Sequence, residues 1–197
     1  GKAENWKEVP SYVNGKVVSK FTNKSETPKA IAFEMWHAPM AYTLENDVLT
    51  DAAAQVLSMV YLKSIREDAS AAYSVSGKLR RLGNKAVAIV QGYCPMDPEK
   101  AELAVKLLAE GMNDNTVKMD ADKVQKVKDL MLKNADLAAK NNGAWMSVLY
   151  TYIMTGVDFH TNYKKTIEAI TPAKLAAHLK QIVAAGNHAE VIMTPAK

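Results

Sequence analysis

Apolar positions along this chain switch between two periods, and the switches divide it into elements. Gly15 to Phe21 alternates modestly and predicts a first strand, followed by a polar turn over Asn23 to Pro28. Ala30 to Trp36 alternates with a period of two, with Ile31, Phe33 and Met35 on one face and Ala32, Glu34 and Trp36 on the other, which predicts a second strand. Leu44, Val48, Ala52, Val56 and Val60 then recur every fourth residue, with Leu49, Ala53 and Leu57 beside them. That is the wide apolar stripe of a core-facing helix. Thr43 supplies an N-cap, Glu45 and Asp47 suit the first turn, and Lys63 and Arg66 suit the end.

Tyr73 to Leu82 and Lys85 to Tyr93 read as two strands joined at Gly83-Asn84, hence an antiparallel hairpin. The near-continuous run Ala86 to Val90 predicts that the second of them is central. Asp97-Pro98 predicts a helix start, with Asp97 as cap and with Ala101, Ala104, Leu107, Leu108 and Gly111 inward. Asp120 opens another helix, lined by Val124, Val127, Met131 and Ala138. Asn141-Asn142-Gly143 interrupts it, and helical spacing resumes through Trp145, Val148, Leu149, Tyr152 and Ile153 to Gly156. A short helix is expected over Tyr163 to Ile170. A last one starts at Thr171-Pro172, lined by Leu175, Leu179, Ile182 and Val183, and Gly186 ends it before a strand from Ala189 to Met193.

Two strands, a helix, two strands, several helices and a final strand make an α+β domain with helices massed on one face of a sheet. Paired strands argue against a doubly wound sheet, and no Gly-rich phosphate loop follows any strand. Residues 1–14 lack a regular period and contain Pro10. They read as a linker or tail from a preceding domain, and residues 15–197 read as a single domain. Gly1 without a Met suggests either an expression scar or an excised fragment.

A hydrophobic fraction of 48% supports a substantial core, and there is no apolar run long enough to span a bilayer. The net charge of +4 is dispersed, without the basic stripe and interleaved aromatics that nucleic acid requires. The densest basic patch is Lys78, Arg80, Arg81 and Lys85, around the expected hairpin. Cys94 is the single cysteine, so no intrachain disulfide can form, and no base lies near it in sequence. It reads as a buried, inert thiol. The isolated histidines His37, His160, His178 and His188 do not form the H-x-x-E-H arrangement that would put two ligands and a base on one helix face. They read as surface or cap residues, and no metal site is expected in the chain. Glu67 and Asp68 point apart on a helix and make a poor acid/base dyad.

The stretch from Ile65 to Gly77 joins the long helix to a strand and carries Arg66 and Tyr73 about a run of small residues, Ala69 to Ala72. A guanidinium offers a planar fork to carbonyls or carboxylates, and a phenol can donate to an oxygen as it gains charge. Equally, Arg66 can offset the helix dipole and Tyr73 can be an ordinary strand residue.

Arg66-Glu67 followed by Ala72-Tyr73-Ser74-Val75 resembles the R-E-x-x-x-x-x-Y-x-V signature in the non-catalytic C-terminal half domains of pitrilysin-type zinc peptidases, family M16. Thr27-Pro28, Tyr42 to Asn46, Asn142 to Trp145, Ile170 to Pro172 and Val191 to Pro195 extend the resemblance over most of the chain. The resemblance implies a LuxS/metallohydrolase-like half domain with a mixed, largely antiparallel sheet and helices on one face. It also implies a metal-free half that closes over peptide held by a zinc-bearing half, on the same chain or on a partner subunit. Arg66 and Tyr73 would bind substrate, and Tyr73 would also stabilise the oxyanion. The chain itself would supply no catalytic residue and bind no cofactor. If the chain is a fragment of such a protein, its location would be the bacterial periplasm or cell envelope, or the cytoplasm. A structural or binding subunit of the same fold is the alternative. Half of a chamber should also expose an apolar patch, expected on the sheet around Met35 and Trp36.

Overall fold

The computed structural model describes residues 12–24, 29–62, 64–65, 74–82 and 85–196. Its strands are β1 (Lys16–Asn23), β2 (Ala30–Pro39), β3 (Ser74–Leu82), β4 (Lys85–Met96) and β5 (Asn187–Pro195). Its helices are α1 (Leu44–Tyr61), α2 (Ala101–Val117), α3 (Ala121–Ala138), α4 (Asn142–Thr155), α5 (Tyr163–Glu168) and α6 (Pro172–Ala184). The strands form one sheet in the order β1-β5-β2-β4-β3, antiparallel except for the β1–β5 pair. This is the expected α+β arrangement. The expected cationic helix end at Lys63 and Arg66 and the hairpin turn Gly83-Asn84 lie outside the described residues. No helix among the described residues is long and apolar enough to cross a membrane.

The two faces of β2 decide how the layers stack. Ala30, Ala32, Glu34, Trp36 and Ala38 are buried, whereas Ile31, Phe33 and Met35 are only half covered. The helices therefore lie on the alanine side, where small side chains let them approach the sheet closely. Gly77 and Gly92 serve the same purpose. A Cβ on Gly77 would sit 2.4 Å from the Thr50 carbonyl oxygen of α1, and one on Gly92 would sit 3.1 Å from Leu108 of α2. Trp36 is thus buried on the helix side, and the expectation that it belongs to an exposed patch is corrected.

Caps fix most helix starts. The side chains of Thr43, Asp120, Asn141 and Thr171 accept backbone N–H bonds at the starts of α1, α3, α4 and α6. Asp97 makes no such bond. Pro98–Lys100 forms a tight 3₁₀ turn first, and α2 begins at Ala101. The interruption expected at Asn141-Asn142-Gly143 falls at the break between α3 and α4, where Asn141 caps α4. Ala138, expected in the inner stripe of α3, is exposed, while Val124, Val127 and Met131 are buried.

Candidate functional site

Arg66 and Tyr73, the residues expected to bind substrate, lie outside the described residues, as does the run Ala69 to Ala72 between them. Their described neighbours are the fully buried Ile65 and Ser74, the first residue of β3, opposite Tyr93 of β4. The surface that begins there is the side of the sheet without helices.

Residues directly opposite in a ladder share a face, so the registers trace rows across that side. Ser74, Tyr93, Phe33, Val191 and Ser19 form one row across all five strands. Ser76, Gln91, Met35, Ala189 and Val17 form the next, and Lys78, Ile89, His37 and Asn187 a third. The rows are apolar in the middle and polar toward β3. Tyr93 is 41% exposed and Phe21 48%, so these aromatic side chains meet solvent without being covered.

One end of this face is closed by the segment before β1. Nε2–H of His37 donates to the Val13 carbonyl at 2.9 Å, and the Tyr12 ring tilts against the His37 imidazole at 5.3 Å. A cavity of about 220 Å³ remains between Tyr12 and the sheet, lined also by Ser76, Lys78, Arg80, Ile89 and Gln91. Lys78 and Arg80 belong to the basic patch seen in the sequence. Their alternation along β3 puts both on this face, and that alternation was the one signal in the sequence from which the cavity could have been anticipated.

The helix-covered side holds a second polar group. Glu34 is wholly buried, its Oε2 accepts from Nε2–H of His188, and its Oε1 has no partner among the described residues. The His188 ring stacks on Trp36 at 4.8 Å and 6°. Burial pushes the Glu34 carboxyl above its ordinary range against the opposing pull of His188. Isolated histidines were expected at surfaces and caps, but His37 and His178 are buried, His37 bonded to the Val13 carbonyl at 2.9 Å and His178 to Thr50 at 2.8 Å. In both cases a polar partner remote in sequence makes burial tolerable. Cys94 is buried as expected, and burial raises its thiol to about 11.

The described residues contain no group of three histidine, cysteine or carboxylate side chains placed to hold a metal ion. Glu34 and His188 are joined to each other, with Trp36 against the ring, and do not fit the ligand set of a zinc peptidase.

A further surface is apolar. No residue of α4 is buried, and Met146, Tyr150 and Ile153 are 66%, 65% and 77% exposed. The apolar patch expected on the sheet is therefore strongest on this helix. Behind it, a cleft of about 550 Å³ lies against α3 and the 159–164 segment, with the Trp145 and His160 rings 4.4 Å apart.

No family model matches the chain, and no curated protein matches it by sequence. Solved structures do match its fold. The ferredoxin protease FusC, solved in complex with Arabidopsis ferredoxin, superposes with a TM-score of 0.77 at 17% identity, over 94% of this chain and 21% of FusC. An inactive domain of an M16 peptidase from Pseudomonas fluorescens gives 0.66 at 11% identity, over 100% of this chain and 48% of that one. An inactive peptidase domain from Bordetella parapertussis gives 0.69 at 13% identity, over 89% of this chain and 95% of that one. This chain thus shares the fold of M16-type peptidase domains, inactive ones among them, and it spans about a fifth of FusC.

Proposed function

We propose that this chain is the metal-free, substrate-binding half domain of a zinc-dependent M16 peptidase. The observation that carries the reading is the uncovered side of the sheet. A half-buried apolar centre with polar and cationic residues toward one edge suits an extended peptide, whose side chains enter shallow depressions while its backbone finds donors. The fold shared with M16 half domains supports it. So does α4, an apolar helix that this chain leaves uncovered and that a zinc-bearing companion half would cover, whether fused or separate.

In this reading the zinc belongs to the companion, where it would activate water and polarise the scissile carbonyl. This chain contributes binding and orientation. Arg66 holds substrate carbonyls through its guanidinium fork, and Tyr73 donates its phenol O–H to the oxygen that becomes negative in the transition state.

The test is kinetic and uses the enzyme assembled with its zinc-bearing half. Tyr73→Phe should lower kcat by about 10²–10³-fold, the usual cost of losing one oxyanion donor, with a smaller effect on KM. Arg66→Ala should both raise KM and lower kcat. Unchanged kinetics in both variants would refute the roles assigned to the pair. Failure of the chain to associate with any zinc-bearing half would instead favour a structural subunit of the same fold.

A further inference from the structure

We infer that the Lys78–Arg80 cavity is a cationic, anion-binding subsite that receives aspartate or glutamate side chains of an extended peptide. The inference rests on the peptide-binding reading and narrows it to acidic sequences. Its evidence is the chemistry of the lining. Lys78 and Arg80 project from alternate positions of β3 onto the uncovered side, across from Ile89 and Val87 of β4. Both are exposed, and among the described residues neither forms an ion pair with a carboxylate. Asp51 on α1 feels the charge of Lys78, but its own hydrogen bond is from Gln55.

The other walls add side chains that can donate to a carboxylate and carry no negative charge of their own. Gln91 and Ser76 stand opposite each other beside the two cations, and Tyr12 closes the side of the cavity. No lining residue is acidic. Arg80 can bind a carboxylate through two parallel N–H bonds, and Lys78 adds a compact charge beside it. The spacing also fits. Alternate residues on a strand lie about 6.7 Å apart, and alternate side chains of an extended peptide repeat at the same distance. A peptide lying along β3 with acidic residues at every second position therefore meets both cations in step.

The experiment is fluorescence anisotropy on the 197-residue chain. The probe is a rhodamine-labelled Gly/Ser peptide with aspartates at alternate positions, compared with its asparagine counterpart. The aspartate peptide should bind about tenfold more tightly, or about 1.4 kcal/mol. The double variant Lys78→Gln, Arg80→Gln should erase that preference while keeping the wild-type circular dichroism. The exposed pair Lys126→Gln, Lys133→Gln on α3 lowers the net charge equally and should preserve it. If both peptides bind equally, the subsite is refuted while peptide binding stands. If the α3 pair erases the preference as fully as the β3 pair, the effect is one of net charge and the subsite is likewise refuted. If neither peptide binds, both the subsite and the peptide-binding reading fall.

Discussion

Glu34 on β2 and His188 on β5 are diagonal neighbours across an antiparallel pair, each standing opposite the residue two away from the other, Glu190 and Trp36 respectively. The hydrogen bond between them ties the central strand to β5 beneath the helices. It does so with a carboxyl that keeps one oxygen unpartnered among the described residues, and burial raises its pKa above the ordinary 4.5 even with His188 present. A raised carboxyl pKa means that the folded chain holds a proton the unfolded chain has released. Stability therefore falls as the pH rises from about 4.5 through the folded pKa. Glu34→Gln keeps an acceptor for His188 and removes the titration. Urea midpoints measured across this range should shift in favour of the variant relative to the wild type as the pH rises, the other titrating groups being common to both. Parallel curves would show that Glu34 is not the group responsible.

Asp47 offers a second titration, at the edge of the sheet. It lies in the first turn of α1, near the edge strand β3, where the backbone N–H of Leu79 favours its charged form. Burial, with the nearby charge of Asp51, raises it to about 6. The folded state is thus penalised as the pH climbs from about 4 to 6, where the unfolded chain is already ionised. Asp47→Asn retains the acceptor without the charge, and should match the wild type below that window. Above it the variant should be more stable by about 1–3 kcal/mol. Chemical denaturation on both sides of the window checks this, and a variant destabilised at neutral pH would contradict it.

His178 titrates in the opposite sense. The Thr50 hydroxyl donates to the Asn46 carbonyl at 2.6 Å, which leaves its oxygen to accept from Nε2–H of His178 and joins α1 to α6. Burial lowers the imidazole to about 4, so His178 stays neutral in the fold. The stability this contributes is complete above the ordinary 6.5 and is lost as the pH falls toward 4. Thr50→Val preserves shape but strands the buried N–H, and should cost about 1–3 kcal/mol at neutral pH. A thermal melt of the variant unchanged from the wild type would show that the bond contributes nothing.

These groups also mark how far the sequence could be read. Element types and order follow from periodicity, because a strand and a helix space their apolar residues differently. Phe33 stands two residues from Ile31 and Met35, whereas Val56 recurs four residues after Ala52. The alternation separated Phe33 from Glu34 but could not say which side the helices would cover. That depends on the alanines of β2 and on Gly77 and Gly92 meeting particular helix atoms. The pairing of Glu34 with His188, and of Thr50 with His178, joins residues more than a hundred positions apart, so nothing local announces it. The basic patch was visible, but the cavity needed the β3–β4 register and Tyr12 laid across it. Arg66 and Tyr73 were legible only through the resemblance to M16 half domains, and they lie outside the described residues.

The helix α4 tests whether this chain works with a companion. Its sequence has the spacing of a packed helix, yet none of its residues is buried, and Met146, Tyr150 and Ile153 follow one another at helical intervals on a single stripe. A helix needed for the core of the chain itself would not tolerate charge there. Substitution of all three by lysine should change the stability of the isolated chain by no more than the usual exposed-site effect, about 0.5 kcal/mol per position. The same variant should self-associate less at high concentration in sedimentation velocity, because an exposed apolar helix surface is removed. If the proposed function holds, binding to a zinc-bearing companion half should weaken by more than tenfold, about 1.4 kcal/mol or more. A collapse of the melting temperature would mean that α4 packs within this chain after all. Unchanged self-association together with full binding to the zinc half would mean that the exposed stripe serves neither contact.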